Sequence, residues 1–144
     1  MKSVLIVCIG NICRSPMAEA MLAAALPGIA VSSAGTGALI GEPADEIAQA
    51  LMIEHGLDIG AHRGRLVSTS MCQQADLILT MDTEQRRFLE ERYAFARGKI
   101  FRLAEGAKLD IPDPYRRGRA AFEHAYALID AGVGEWAEKI RKFR

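Results

Sequence analysis

Short apolar runs alternate with segments of helical periodicity along the chain. The runs that predict strands are Ser3–Cys8, 29–33, 76–81 and 99–103. The first and third are nearly continuous in aliphatic residues, which is typical of strands buried on both faces of a parallel sheet. Three glycines in the segment 35–41 predict a flexible loop after the second strand.

Four further segments predict helices. The first begins at Ser15 and Pro16, with proline in the first helical position, and its predicted apolar face is Met17, Ala20, Met21, Ala24 and Ala25. The second covers 44–55, and the third is capped by Asp82 or Thr83. The last has apolar residues at helical spacings of three and four, namely Phe122, Ala125, Tyr126, Ile129, Val133, Trp136, Ala137 and Ile140. Gly132 and Gly134 are expected to weaken it locally and to mark a bend.

The alternation of strands and helices predicts the fold class. We expect an α/β protein that forms a single-domain, three-layer sandwich, with a four-stranded parallel sheet and helices on both faces. The chain of 144 residues fits one domain spanning 1–144. Ligands of such sheets bind at the carboxyl ends of the strands, so the loop after the first strand is the expected phosphate-binding loop.

Charge and cysteine content exclude several functions. The formal net charge is zero, from 18 basic and 18 acidic residues, which argues against a general nucleic-acid binder. No apolar stretch is long enough to insert in a membrane. Three cysteines make a poor disulfide framework and suit a reducing compartment, so we expect a cytoplasmic protein. No spacing typical of a zinc site is present, and we expect no metal and no cofactor.

The loop after the first strand has the composition of an anion cradle. Cys8 ends the strand, Arg14 follows six residues later, and a helix starts near Ser15. Inward amides, the helix N-terminus and the arginine fork would converge on one phosphate. The same positive field would favour the thiolate form of Cys8 and make it a nucleophile. The predicted phosphate-binding residues are Ile9, Gly10, Asn11, Ile12, Cys13, Arg14 and Ser15.

The segment Cys-Ile-Gly-Asn-Ile-Cys-Arg-Ser-Pro at 8–16 resembles the signature of the low-molecular-weight protein tyrosine phosphatases. The similarity continues, in the family's order, through 32–36, 60–63 and 113–115. It implies that Cys8 is the nucleophile, Arg14 the phosphate clamp and Asp113 the general acid. Asp113 lies between two prolines that stiffen its loop. Asp110 is a nearby competitor that does not match the motif.

The resemblance also implies supporting roles. Ser33 and His62 match positions that hydrogen-bond towards Asn11, and Leu39 and Tyr115 match positions that line the substrate cleft. Cys13 matches a cysteine that can pair with the nucleophile under oxidation.

The same resemblance suggests a partner. Many eukaryotic members of the family carry an aromatic residue near position 39. Leu39 and its neighbours at 37–41 are more similar to bacterial members, which act beside autophosphorylating tyrosine kinases in exopolysaccharide export. We therefore expect a phosphotyrosyl protein, such as a tyrosine autokinase, as partner. We expect the enzyme itself to be a monomer or weak oligomer.

Three other readings are open to test. An arsenate reductase on a similar scaffold would need a relay of further cysteines, and only Cys72 lies outside the loop. A protein arginine phosphatase of the same family would carry threonine where this chain has Ile12. A non-catalytic anion-binding module would have no use for Cys8, Arg14 and Asp113 together.

Overall fold

The computed structural model describes residues 1–143 and contains one parallel sheet. Its strands are β1 (Ser3–Cys8), β2 (Ala30–Gly35), β3 (Leu77–Thr80) and β4 (Ile100–Arg102), in the order β2-β1-β3-β4. Within residues 1–143 the α-helices are α1 (Arg14–Ala25), α2 (Glu46–Glu54), α3 (Thr69–Gln74), α4 (Thr83–Arg92) and α5 (Arg119–Lys142). None of these helices has the length and apolar character needed to cross a membrane.

Side chains of β1 alternate between two hydrophobic clusters because successive residues of a strand point to opposite faces. Val4, Ile6 and Cys8 join a cluster with α1, α2 and α5. Leu5 and Val7 join the other cluster, with α3 and α4. The predicted four-stranded parallel sheet with helices on both faces is therefore confirmed, and the carboxyl end of β1 lies at the centre of one sheet edge.

The first helix differs from its prediction in start and in buried face. It begins at Arg14, so Pro16 is its third residue rather than its first. Ala18 and Leu22 are fully buried beside Met17, whereas Ala24 is exposed. The predicted face was therefore rotated, because the run of alanines around it does not distinguish one side of the helix from the other.

Other differences concern element ends. Strand β2 extends to Gly35, into the stretch predicted as loop. Helix α2 is shorter than predicted, with Asp45 as its cap and His55 at its end, where the imidazole stacks on Tyr126 with 4.2 Å between ring centroids. Helix α3 was not predicted at all, since only Cys72 among its six residues is buried and no apolar periodicity marks it.

Helix α5 runs unbroken through both of its glycines. Gly132 has a packing role. A Cβ at this position would lie 2.7 Å from the carbonyl oxygen of Leu103, just after β4. Glycine thus lets the helix approach the backbone at the end of the sheet, while Gly134 faces open space.

These two glycines allow a matched test of the packing. Gly134→Ala should raise the free energy of unfolding by about 0.5–1 kcal/mol, because alanine is the better helix former. Gly132→Ala gains the same propensity but must displace the Leu103 backbone, and should be destabilising by about 1–3 kcal/mol. Urea unfolding of both variants measures the difference. A Gly132→Ala protein as stable as Gly134→Ala would contradict the close approach.

Candidate active site

The loop after β1 holds its carbonyl oxygens outward. Four of them accept hydrogen bonds of 2.8 to 3.0 Å from backbone amides of the segment after β2. The acceptors are Cys8, Ile9, Gly10 and Ile12, and the donors are Thr36, Gly37, Leu39 and Asp45, in that order. The carbonyl of Asn11 lies 2.6 Å from Nε2 of His62. Because the C=O and N–H of a trans peptide point in opposite directions, the loop amides face inward and form a cradle for an anion.

The close contact between loop and neighbouring segment depends on two backbone positions. Asn11 has φ 59°, in the left-handed region that asparagine tolerates better than most residues. At Gly35, a Cβ would overlap the carbonyl oxygen of Ile9. Glycine is therefore needed at the end of β2, because only a residue without a side chain lets the next segment come close enough to bind the loop carbonyls.

A chain of hydrogen bonds connects Glu19 to the sulfur of Cys8. The Asn11 side-chain amide donates to Ser15 Oγ at 2.7 Å and to Ser33 Oγ at 3.0 Å. Ser33 in turn donates to Glu19 Oε1 at 2.5 Å. Ser15 accepts from Asn11 and keeps its own O–H, so it donates to Cys8 Sγ, 2.8 Å away, when Cys8 is a thiolate. Glu19 was missed by the sequence reasoning, although it follows Ser15 by one helical turn.

His62 and Ser33, the two predicted supports, both contact Asn11 from behind the loop. A carbonyl oxygen can only accept, so the His62 Nε2 atom facing Asn11 O carries a proton. The Asn11 Oδ1 atom accepts from the amide of Arg65 at 2.9 Å. Asn11 is fully buried, and its side-chain oxygen and nitrogen are both hydrogen-bonded.

Arg14 is buried, with 2% of its side chain exposed, and is held on several sides. Its Nη1 donates to the carbonyl of Ile111 at 2.7 Å and lies 3.6 Å from Asp82 Oδ2. Its Nη2 lies 3.9 Å from Asp113 Oδ2. The sequence predicts Asp82 only as a helix cap. Its place after β3, the strand next to β1, is the signal that could have brought it to this site.

Asp110 and Asp113, both in the segment between β4 and α5, have different surroundings. Asp113 has 44% of its side chain exposed and accepts from the amide of Tyr115 at 3.1 Å. Asp110 instead binds Arg102 at 3.1 Å and Thr83 at 3.0 Å. Burial acts to raise the pKa of Asp110, but these hydrogen bonds outweigh it and hold the pKa below its usual value. Asp110 therefore belongs to another network, and of these two aspartates Asp113 is the one that reaches Arg14.

Most of the predicted residues meet around a cavity of about 180 Å³, whereas Asn11 and Ser15, predicted to bind the phosphate, are not in its lining. Its lining consists of Cys8, Ile9, Gly10, Ile12, Cys13, Arg14, Gly37, Leu39, Asp113 and Tyr115. Cys8 is nearly inaccessible at its floor, and Leu39 and Tyr115 are partly exposed, at 42% and 36%. Among residues 1–143 no three His, Cys, Asp or Glu side chains are grouped to hold a metal ion.

The three cysteines, all free thiols, lie in different environments. Burial raises the pKa of the Cys13 thiol, and the charges of Asp45, Cys8 and Asp113 add to the effect. Burial also raises the pKa of Cys72, which packs in the cluster on the far face of the sheet. Neither thiol is poised to ionise near neutral pH.

An amide cradle with a cysteine at its centre supports attack on a bound phosphate, so the fold and the site belong to the class of cysteine-dependent phosphatases. Comparison with known families gives the particular assignment. The chain belongs to the low molecular weight phosphotyrosine protein phosphatase family, whose model matches residues 3–144. The resemblance found in the sequence is therefore confirmed.

Individual relatives agree with this assignment. The probable low molecular weight protein-tyrosine-phosphatase EpsP of Ralstonia solanacearum is 51% identical over 140 residues, covering 97% of each chain. The structure of Vibrio vulnificus Wzb in complex with benzylphosphonate matches with a TM-score of 0.93 at 40% identity, covering 96% of this chain and 98% of that one. The YwlE arginine phosphatase of Geobacillus stearothermophilus matches with a TM-score of 0.92 at 31% identity, covering 99% and 94%.

The hydrogen-bond chain through Asn11 generates a test. Asn11→Asp keeps the shape of the side chain but can only accept, so the Ser15 proton should turn from Cys8 to the new carboxylate. The thiolate then loses a donor and gains a negative neighbour. We expect alkylation of Cys8 by iodoacetamide at neutral pH to slow at least about fivefold.

Ser33→Ala is the control for this test, since it removes a partner of Asn11 without reversing the Ser15 hydrogen bond. It should slow alkylation less than Asn11→Asp does. Mass spectrometry should find the label on Cys8 and not on Cys13 or Cys72. An Asn11→Asp protein alkylated at the wild-type rate would refute the assigned direction.

Proposed function

We propose that this protein is a protein-tyrosine-phosphatase, a phosphoric monoester hydrolase that acts through a phosphocysteine intermediate. The observation that carries the proposal is the set of outward carbonyls, which turns the loop amides towards the cavity that contains Cys8 and Arg14. Those donors match the non-bridging oxygens of a phosphate, and they need not reorganise as charge develops in the transition state.

In the first step the Cys8 thiolate attacks phosphorus. The sulfur–phosphorus bond forms as the bond to the tyrosine oxygen breaks, and Asp113 donates a proton to the leaving oxygen. Arg14 and the loop amides bind the non-bridging oxygens throughout. Asp113 suits the acid role because it lines the same cavity as Cys8 and its carboxyl is partly exposed at the mouth.

In the second step water attacks the phosphocysteine. Asp113, now a carboxylate, takes a proton from the water, and the Cys8 thiolate leaves as inorganic phosphate forms. The Ser15 O–H, 2.8 Å from the sulfur, stabilises the departing thiolate. No oxidant or metal is required by either step.

Depth and apolar walls favour phosphotyrosine over phosphoserine. Cys8 is only 2% exposed, so a short side chain would not reach it from the mouth. The Leu39 and Tyr115 side chains line the entrance, where an aryl ring would pack. The related Wzb of Vibrio vulnificus binds benzylphosphonate, which has the same aryl and phosphoryl parts as phosphotyrosine.

The physiological substrate and partner are inferred from the resemblance to bacterial members of the family. The substrate is a phosphotyrosyl protein of the cytoplasm, and a tyrosine autokinase of exopolysaccharide export is the partner that the resemblance favours. The phosphatase would act as a monomer or weak oligomer.

The alternative activities find less support. A disulfide relay for arsenate reduction would need further cysteines outside the loop but close to it, and Cys72 is fully buried on the opposite face of the sheet. Hydrolysis of phosphoarginine is disfavoured because Ile12 lines the cavity wall. The arginine phosphatases of the family carry threonine at this position, and isoleucine has no hydroxyl group.

Substrate choice tests the proposal directly. Without metal, the wild-type protein should hydrolyse an aryl phosphate and phosphotyrosine peptides, but not phosphoserine or phosphoarginine peptides. Cys8→Ser should lose at least about a thousandfold in turnover, since the nucleophile is gone. Phosphate release under reducing conditions measures both. Wild-type activity in Cys8→Ser would refute the role of Cys8, and arsenate reduction without phosphatase activity would favour the reductase.

The acid role of Asp113 has a separate test, with Asp110 as the matched control. Asp113→Ala should lower kcat by about a hundredfold or more for phenyl phosphate and much less for aryl phosphates whose leaving group needs no proton. Asp110→Ala loses only the contacts to Arg102 and Thr83, so the dependence on leaving group should stay as in wild type. Equal losses of Asp113→Ala on all esters would count against the acid role.

A further inference from the structure

A second groove opens directly off the catalytic cavity. It has a volume of about 400 Å³ and shares Ile12, Leu39 and Tyr115 with the cavity. The two residues that wall the entrance for an aryl ring therefore also wall this groove. A peptide whose phosphotyrosine occupies the cavity would extend over Leu39 or Tyr115, and the groove is the depression it meets on that side.

The floor of this groove is apolar and its edge is acidic. Pro43 and Ala44 continue the apolar surface of Leu39 away from the cavity. The carboxylates of the lining are Glu42, Asp45 and Glu46. None of the ion pairs found within residues 1–143 involves any of these three side chains.

The local structure keeps these carboxylates at the groove. Asp45 is fixed as the cap of α2, its Oδ1 accepting from the amide of Ile47 at 2.9 Å, and its own amide binds the Ile12 carbonyl. The Glu42 backbone is bound on both sides, by Leu39 and by Gly64, so its side chain projects from a fixed position. The nearby cation, Arg116, lies over the Tyr115 ring, 5.1 Å from its centroid, and does not line the groove.

We propose that this groove, lined by Glu42, Asp45 and Glu46, binds the polypeptide next to the phosphotyrosine and selects substrates with a lysine or arginine there. The proposal rests on the tyrosine phosphatase function. The apolar floor accommodates the methylene stem of the basic residue, and the carboxylates bind its charged head. The groove thus makes a contribution to specificity that the buried cradle, which contacts only the phosphate, does not make.

Phosphotyrosine peptides of one length provide the test. Lysine, alanine or glutamate is placed at each position on either side of the phosphotyrosine, and kcat/KM is measured by phosphate release. We expect lysine to exceed glutamate roughly tenfold at one or two adjacent positions, as two or three partly exposed ion pairs would give. The ratio should shrink as salt is raised, because exposed charges are screened.

The variant Glu42→Lys/Glu46→Lys should reverse the preference at the same positions, and Glu42→Gln/Glu46→Gln should abolish it. Asp45 is left in place because it caps α2. Glu91→Lys/Glu138→Lys, an equal charge change at exposed sites on α4 and α5, is the matched control and should keep the wild-type preference. All three variants should hydrolyse a small aryl phosphate within about twofold of wild type, which also shows that they are folded.

The two proposals fail in distinguishable ways. If the wild-type protein hydrolysed neither the aryl phosphate nor any phosphotyrosine peptide, the phosphatase proposal would be overturned. Good turnover with no lysine preference at any position, or a preference that Glu42→Lys/Glu46→Lys leaves unchanged, would overturn the groove alone. A reversal by Glu91→Lys/Glu138→Lys as well would assign the effect to net charge and also overturn the groove.

Discussion

The site depends on one constraint: hydrogen bonds from other segments keep the carbonyl groups of the loop after β1 pointing away from the cavity. Each peptide unit of such a loop has one carbonyl acceptor and one amide donor, and the sequence of the loop does not determine which of them faces the cavity. Other segments determine the orientation, because backbone amides of the stretch after β2 and the imidazole of His62 bind the carbonyls from outside. The end of β2 must approach closely for this, which is why Gly35 cannot carry a side chain. The cradle is therefore a property of three segments that the parallel sheet brings together.

The same packing explains how a buried arginine is tolerated. A guanidinium with 2% exposure would be costly without partners, and Arg14 has the Ile111 carbonyl together with two carboxylates at 3.6 and 3.9 Å. The Ile111 carbonyl contact is the shorter, at 2.7 Å, and it fixes the side chain, while the longer contacts to Asp82 and Asp113 leave charge available for a phosphate. Two segments, which follow β3 and β4, thus combine to orient one side chain at the start of α1.

Much of this could be predicted from the sequence, because strand cores and the loop motif are local patterns. Cys8 and Arg14 follow from such patterns, Asp113 follows from the family resemblance, and all three line one cavity. The rest depends on pairings that no local pattern encodes. Glu19 and Asp82 look like ordinary helix residues until the fold brings Ser33 and Arg14 to them. Helix α3 and the buried face of α1 were missed for a related reason, since short or alanine-rich helices have their orientation set by the sheet they pack on.

The three cysteines show that burial alone does not define a nucleophile. Cys8, Cys13 and Cys72 are all at most 5% exposed. Burial without compensating donors raises the pKa of Cys13 and Cys72, and the negative charge of Asp45 adds to it at Cys13. Only Cys8 ends a strand inside the amide cradle, where the amide of Asn11 at 3.3 Å and the hydroxyl of Ser15 both reach its sulfur. Reactivity at this site is therefore set by the donors that the loop geometry directs at one sulfur, and that geometry is in turn set by the segments that bind the loop from outside.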